Sequence, residues 1–345
     1  MIQYRRLEKH ELTPELFQDF IRHQTVQDCY RKREGRWVIE PAPFIDDWSR
    51  EEYDFLVQCL KDTIDGIRYE NGHITASHAF ASLFMWQKEM GLSVYLEENL
   101  FAVKCRMQGE NAWFFPCGGR TAVRDFICRC LDGEGLLFCY MRREDAEFLE
   151  QEFPGRFQIR ERESDHEYIY DRKEQQEMNG KGFLAARKYI HRLTAGHLLE
   201  WEPVGAENLA DALSLVSGWK EKEREEGLDG LRDTDASVTM LTYWEELEGA
   251  GILVRVDGAP GAVMAGYPIG KNMFDISLGK QSCYITGMSE YTRHALCSFL
   301  PEKYSLVNGE EDLGIEGLRR MKQRMRPVGL LRMYEGRAAA IGTEA

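Results

Sequence analysis

Residues 304–327, YSLVNGEEDLGIEGLRRMKQRMRP, contain an apolar run, an acidic turn and a basic segment in direct succession. The run 304–307 predicts a strand that ends at Asn308-Gly309. Apolar residues then recur at helical spacing between 315 and 325. Acidic residues precede this helix and basic residues crowd its far end, which is the arrangement that the helix dipole favours. The stretch is therefore either a capped surface helix or an acidic turn that faces a cleft.

Outward from this stretch, the same order of patterns occurs twice along the chain. The first series is three strand-like runs at 92–97, 100–107 and 111–116, a helix at 120–131, a strand at 135–140, a helix at 144–153 and a strand at 157–162. The second is three runs at 252–256, 262–268 and 274–278, a helix at 287–300, the strand at 304–307, the basic helix and a strand at 328–334. Earlier residues predict helices at 14–24, 51–64 and 77–90.

Such a repeat predicts an α/β (α+β) fold of two tandem lobes, each a mixed, largely antiparallel sheet flanked by helices. We predict an N-terminal lobe over 1–172. The C-terminal lobe is predicted over 173–345 and includes connecting helices at 173–195. The length of 345 residues suits two domains of ordinary size.

Composition excludes several classes of protein. The chain is 43% hydrophobic and 30% charged, and its net charge of -14 argues against DNA as a partner. No apolar run approaches the roughly 20 residues of a membrane span, and the N-terminus lacks a signal peptide, so we expect a cytoplasmic protein. The nine cysteines form no C-x-x-C pair, and the histidines show no ligand spacing. We expect reduced thiols and no metal site.

The repeated order is that of the GNAT acyltransferase fold. The chain also resembles, over roughly 44–327, the family named for the C-terminal domain of bacterial phosphatidylglycerol lysyltransferases. The motifs that carry the resemblance are Phe80-x-x-x-Phe84-x-Trp86, Asp165-x-x-Tyr168-Ile169-Tyr170, Asn179-Gly180-Lys181 with Arg187-Lys188, and the opening stretch from Asn308 to Arg319.

The resemblance implies two GNAT-like lobes with a site between them, mostly in the second. It also implies an acyltransferase that moves an aminoacyl group from aminoacyl-tRNA to an amine or hydroxyl acceptor. That acceptor is a small molecule or a lipid headgroup. The lysyltransferases carry a membrane-spanning portion ahead of this domain, and these 345 residues contain none.

Aminoacyl transfer requires a group that orients the acceptor amine and takes its proton. Asp312 and Glu316 are the predicted catalytic carboxylates, because residues one helical turn apart can share a face. The alternative is that they cap the helix. The predicted substrate-binding residues are Lys181, Arg187, Lys188, Lys280, Asn308, Glu310 and Arg319.

The cations among these residues could contact phosphates of tRNA, a nucleotide or CoA. For Lys181, Arg187 and Lys188 the alternative is a solvated helix face. For Lys280, a candidate oxyanion or phosphate contact, the alternative is an exposed strand end.

Acyl-CoA is the other donor that the fold suggests. Its usual signature, Gln/Arg-x-x-Gly-x-Gly/Ala, is absent at 116–121 and at 279–288, although Gly118-Gly119 precedes a helix. Two other functions therefore stay open: an acyl-CoA-dependent N-acyltransferase, and a non-catalytic ligand-binding protein of the same fold. No cofactor is predicted beyond aminoacyl-tRNA or acyl-CoA as co-substrate.

Overall fold

The computed structural model describes residues 31–33, 36–38, 50–87, 89–97, 99–107, 109–131, 135–225, 233–282 and 285–339. The chain divides into two compact units, one of residues 1–162 with 332–345 and one of residues 163–331. The division falls at 162/163 where the sequence predicted 172/173, and the C-terminal segment belongs to the first unit. The helix predicted at 14–24 lies outside the described residues.

The first unit contains a two-stranded and a larger mixed sheet. Its elements are β1 (Arg31–Arg33), β2 (Arg36–Val38), α1 (Arg50–Glu70), α2 (Phe80–Trp86), β3 (Ser93–Glu97), β4 (Leu100–Met107), β5 (Glu110–Phe114), β6 (Cys117–Gly118), α3 (Arg120–Leu131), β7 (Leu137–Met141), α4 (Arg143–Glu152), β8 (Phe157–Glu161) and β16 (Tyr334–Ala338). The larger sheet has the strand order β3-β4-β5-β7-β16-β8, with β6 paired to β4.

The second unit contains one seven-stranded sheet. Its elements are β9 (Glu167–Asp171), α5 (Arg172–Glu177), α6 (Leu184–Gly196), β10 (Leu199–Pro203), α7 (Leu209–Glu225), α8 (Asp233–Thr242), β11 (Ala250–Val256), β12 (Ala259–Pro268), β13 (Met273–Gln281), α9 (Met288–Phe299), β14 (Leu306–Asn308), α10 (Glu316–Arg324) and β15 (Gly329–Leu331). The strand order is β10-β11-β12-β13-β14-β9-β15.

The two large sheets share one topology. In each, three consecutive strands pair antiparallel, a helix follows, and the next strand joins the third in parallel. The parallel pairs are β5 with β7 and β13 with β14. The predicted α/β architecture, with mixed sheets flanked by helices, is confirmed.

Amphipathic helices cover one face of each sheet. In the first unit Phe126 and Ile127 of α3 pack into a cluster with Phe138 of β7, and all three are at most 2% exposed. In the second, Leu296 of α9 packs with Phe274 of β13. Burying an apolar side chain of this size stabilises a fold by about 1.5–3 kcal/mol. The helical spacing of the apolar residues in the sequence therefore identifies the face of each helix that packs on the sheet.

Two strand assignments from the sequence are wrong. Residues 167–171 were placed in the first lobe, but β9 lies between β14 and β15 in the second sheet. The single strand predicted at 328–334 is two strands, β15 in the second unit and β16 in the first. Apolar alternation marks a segment as extended but carries no information about which sheet edge it joins.

Among the described residues, no helix combines the length and the apolar character needed to cross a bilayer. Six cysteines in this part of the chain are free thiols. No group of three or more His, Cys, Asp or Glu side chains in the same residues is arranged to hold a metal ion.

Candidate active site in the second unit

The two parallel strands of the second sheet separate soon after they pair. Only three residue pairs join β13 to β14, and the last is Asp275 with Asn308. Strand β14 ends there while β13 continues to Gln281. We call this point the fork. Separated parallel strands open a crevice at their carboxyl ends, where α/β proteins commonly bind ligands.

The other edge of β13 is shaped by a glycine. Its register with β12 shifts between Ala265 and Tyr267. A Cβ atom on Gly266 would overlap the backbone oxygen of Asp275. The irregularity therefore requires glycine and sets the position of Asp275 at the fork.

The segment from 309 to 315, here called the acidic loop, leaves the fork in a strained conformation. Glu310 and Leu313 have φ angles of 56° and 54°, in the left-handed region that non-glycine residues avoid. The Asn308 side chain accepts a hydrogen bond from the Glu310 N–H at 2.7 Å. It also donates to Glu167 of β9 at 2.5 Å. These bonds hold the strained loop against the sheet.

Asp312 is the most completely hydrogen-bonded carboxylate of the acidic loop. Arg319 donates from Nε to Oδ2 at 2.8 Å and from Nη2 to Oδ1 at 3.2 Å. Oδ2 also accepts from the Tyr168 hydroxyl at 2.7 Å, and Oδ1 from the Gly314 N–H at 2.8 Å. Burial would raise the pKa of Asp312, but these bonds hold it below its usual value. Asp312 therefore stays ionised and fixed.

The same interaction acts on Tyr168. Burial, together with its hydrogen bond to Asp312, raises the pKa of Tyr168 to about 12. Its hydroxyl keeps its proton at neutral pH and remains a donor to Asp312.

A second group of carboxyls lies at the fork itself, around one lysine. Burial, and then the charge of Glu310, raises the pKa of Asp275 well above its usual value. Burial, and then the charge of Glu311, raises the pKa of Glu310 to about 8. Lys322 of α10 donates to the Gly309 carbonyl, and burial lowers its pKa although Glu310 and Glu311 oppose that shift. The fork can therefore exchange protons near neutral pH.

Sequence reasoning missed several residues of this site, namely Glu167, Tyr168, Asp275 and Lys322, together with Arg293 of α9, whose charge acts on Lys322. A signal existed for one of them. Asp275 interrupts an apolar strand, and an acidic residue in a buried strand indicates a functional position. Tyr168 was recognised only as part of a motif.

The structure separates the two predicted catalytic carboxylates. Helix α10 begins at Glu316, whereas Asp312 precedes a left-handed turn at Leu313 and Gly314. The premise that both share one helical face is wrong. The Glu316 side chain is 69% exposed and pairs with Arg320 at 3.3 Å. The catalytic roles of both stay predictions.

Arg319 is the predicted cation that bonds to Asp312, and three others lie on other elements. Lys181, Arg187 and Lys188 are exposed, and none bonds to Asp312 or Glu310. Arg187 donates to the carbonyls of Met178 and Gly180, which supports a left-handed turn at Met178.

Lys280 is not the exposed strand end that the sequence suggested. It is buried, with Nζ 2.7 Å from Asp233 Oδ2 and 5.1 Å from the centre of the Trp219 ring. Any contact that Lys280 makes with a ligand has to compete with this ion pair.

Gly118, one of the two adjacent glycines of the first unit, has a packing role. A Cβ on Gly118 would overlap the backbone oxygen of Asn99, because β6 pairs closely with β4. This accounts for Gly118 without a bound phosphate.

Residues 72–334 match the family described as phosphatidylglycerol lysyltransferase, C-terminal. The chain belongs to this family. The match covers the second sheet, with the fork and the acidic loop, and the first sheet up to the start of β16. At the level of the family the function is aminoacyl transfer. No curated protein matches the chain.

Solved structures show the same fold at low identity. A conserved protein of unknown function from Bacteroides thetaiotaomicron is 24% identical, with a TM-score of 0.74 over 82% of this chain and 97% of that one. L-PGS from Bacillus licheniformis is 15% identical, with a TM-score of 0.55 over 80% and 90%. FemX is 8% identical, with a TM-score of 0.53 over 80% and 95%.

Proposed function

We propose that this protein transfers an aminoacyl group from aminoacyl-tRNA to an amine or hydroxyl acceptor at the acidic loop of the second unit. The aminoacyl ester is already activated, so the protein has to position the reactants, move one proton and stabilise an oxyanion. Membership of the family supports the reaction class, and L-PGS among the similar structures agrees with it.

The observation that carries the proposal is the fixed carboxylate of Asp312, which is 1% exposed and accepts four hydrogen bonds. A loop held this firmly is preorganised, so it loses little conformational entropy when substrate binds. We assign Asp312 and Arg319 to holding the loop. Asn308 serves the same purpose through Glu310 and Glu167.

We propose that the exposed cations bind substrate outside the acidic loop. Lys181 and Lys188 are exposed, and we assign them to contacts with the phosphates of tRNA, which attract Lys and Arg independently of sequence. Glu316, exposed at the start of α10, is proposed as an outer contact of the acceptor. A cytoplasmic location follows from the proposed donor, since charged tRNA is found there.

The acceptor is proposed as a small amine or hydroxyl compound or the headgroup of a lipid. The family is named for a phosphatidylglycerol lysyltransferase, so phosphatidylglycerol vesicles belong in the acceptor panel beside soluble amines and hydroxyl compounds.

The test is a transfer assay with tRNA charged with radiolabelled amino acids, one at a time, against that panel. Uncharged tRNA plus free amino acid is the matched control. We expect label in one acceptor class from one or a few donors. No transfer from any aminoacyl donor would overturn the proposal. Tight acyl-CoA binding would then favour an N-acyltransferase, and its absence a binding protein.

A further inference from the structure

At the fork, among the residues that the structure describes, Arg293 has a buried donor without a partner, and Asp275 has the Glu310 carboxyl as its hydrogen-bonding neighbour. Neither carboxyl oxygen of Asp275 accepts a bond from an N–H or hydroxyl donor, and Nη1 of Arg293 donates none. Asp275 is fully buried and Arg293 is 6% exposed. Burial of a charged donor without a partner is costly, so Nη1 of Arg293 marks a place where a ligand completes the bonding.

Arg293 extends from α9 to the start of the acidic loop. Its guanidinium carbon lies 4.6 Å from the centre of the Tyr170 ring. Its Nη2 lies 3.5 Å from the position that a Cβ on Gly309 would occupy, and that Cβ would also lie 2.8 Å from the Tyr170 ring. Glycine at 309 therefore lets the start of the acidic loop pack against the Tyr170 ring, beside the guanidinium.

Glu310 is the half-buried carboxyl next to Asp275. The charged groups that act on it are Glu311 on the acidic loop, Lys322 on α10, Glu167 on β9 and Asp275 on β13, and Arg293 on α9 lies beside the preceding Gly309. Residue Glu310 as a whole is partly exposed, whereas Asp275 is fully buried.

We propose that Glu310 is the proton acceptor of the transfer and that Arg293 binds the carbonyl oxygen of the aminoacyl ester. This inference rests on the proposed function. The acceptor nitrogen or oxygen bonds to the ester carbon while its proton moves to the Glu310 carboxylate. Arg293 stabilises the negative charge on the carbonyl oxygen. The bond from that carbon to the ribose oxygen of tRNA then breaks, and Glu310 returns the proton to the ribose oxygen.

The raised pKa of Glu310 agrees with its proposed role as proton acceptor. A general base works best when its pKa lies near the working pH. Burial and Glu311 raise the pKa of Glu310 to about 8, so it is ready to take and return a proton in the neutral range. Asp275 is a positioning residue that keeps Glu310 in place.

The experiment compares Glu310→Gln with Glu302→Gln, an exposed glutamate of the same unit. Initial rates are measured from pH 6 to 9 with the aminoacyl-tRNA and acceptor found for the wild type. We expect Glu310→Gln to lower kcat by about 10²–10⁴-fold and to leave KM for the donor unchanged. The variant should also lose the rise in kcat that we expect in the wild type near pH 8, where Glu310 gives up its proton. Glu302→Gln should match the wild type.

Two further variants test the surroundings. Glu311→Gln should move the rise in rate to lower pH, because it removes a charge that raises the pKa of Glu310. Arg293→Lys should lower kcat at least about 10-fold without moving that rise, because a point charge replaces a planar donor. Circular dichroism checks that each variant folds. If Glu310→Gln does not fold, the change in the pH profile of Glu311→Gln still tests the role of Glu310.

Wild-type kcat and an unchanged pH profile in Glu310→Gln would overturn the inference while the proposed function stood. A wild-type protein that transfers no aminoacyl group would overturn both.

Discussion

Arg319 binds both carboxylate oxygens of Asp312, with Nε 2.8 Å from Oδ2 and Nη2 3.2 Å from Oδ1. The paired geometry fixes direction as well as charge, because the planar guanidinium matches the carboxylate plane. One end of this interaction lies in the acidic loop and the other in α10. The loop is therefore held to the helix that follows it.

The first prediction concerns the stability that this interaction confers. Asp312→Asn should destabilise the protein by about 1–3 kcal/mol, because hydrogen bonds to a buried charged group are lost. Glu316→Gln is the matched control, since its exposed pair with Arg320 should contribute less than about 0.5 kcal/mol. Urea unfolding midpoints at neutral pH measure both. Equal effects would show that Asp312 does not hold the loop.

The second prediction is a pH dependence of stability from Glu310. Its folded pKa, about 8, lies above the ordinary glutamate value, so the folded state binds more protons between about pH 4.5 and 8. This contribution is complete at low pH and is lost as pH rises through 8. Glu310→Gln should therefore lose less stability than the wild type between pH 5 and 8. The unfolding midpoints of both proteins are measured across that pH range. Midpoints that change with pH by the same amount in the two proteins would contradict the expectation.

The third prediction has the opposite sign and concerns two histidines of the first unit. Burial lowers the pKa of His78 to about 3, and its Nε2 lies 2.9 Å from the Phe115 carbonyl oxygen. Burial also lowers the pKa of His73, whose ring centre lies 4.1 Å from that of His78. The unfolded chain binds more protons between about pH 3 and 6.5, so stability falls as pH falls through that window.

Hydrogen exchange of the β5 and β7 amides at pH 4, 5 and 6.5 measures this effect in the first unit. We expect protection to fall with pH. His78→Asn should weaken the dependence, since it removes one of the two groups. An identical dependence in that variant would assign the effect to other residues.

The fourth prediction tests the glycine beside the fork. Gly266→Ala should destabilise the protein by more than about 3 kcal/mol and displace Asp275, because the new methyl group meets backbone that cannot move aside. Gly218→Ala, at an exposed position in α7 with open space, should stabilise by about 0.5–1 kcal/mol. Thermal melting compares them. Equal melting temperatures would refute the close approach.

The fifth prediction separates the roles of two neighbouring cations. Lys188→Ala should raise KM for charged tRNA and reduce its salt dependence, with kcat and stability unchanged. Arg187→Ala should instead lower the melting temperature, because Arg187 bonds the Met178 and Gly180 carbonyls. Initial rates from 50 to 200 mM salt, with melting curves, distinguish the two. A Lys188→Ala variant with unchanged KM would remove this surface from the proposed tRNA contact.

The sequence by itself determined the kinds and order of the elements. The runs at 100–107 and 120–131 have the bounds of β4 and α3, and the repeated order is that of the two sheets. Hydrophobic period and turn residues are local properties, so they can be read from neighbouring positions. The sequence also indicated the stretch from Asn308 to Arg319, because its charges and glycines are concentrated there.

Only the tertiary structure decided which residues meet. It joined β9 to the second sheet, divided the last strand between the two units, and brought Tyr168, Asp275 and Arg293 to the same fork. It also began α10 at Glu316, which removed Asp312 from the helix. Strand pairing joins residues far apart in the chain, so no local pattern records it. The acidic loop and basic helix of the opening stretch form one side of a site whose other sides come from β9, β13 and α9.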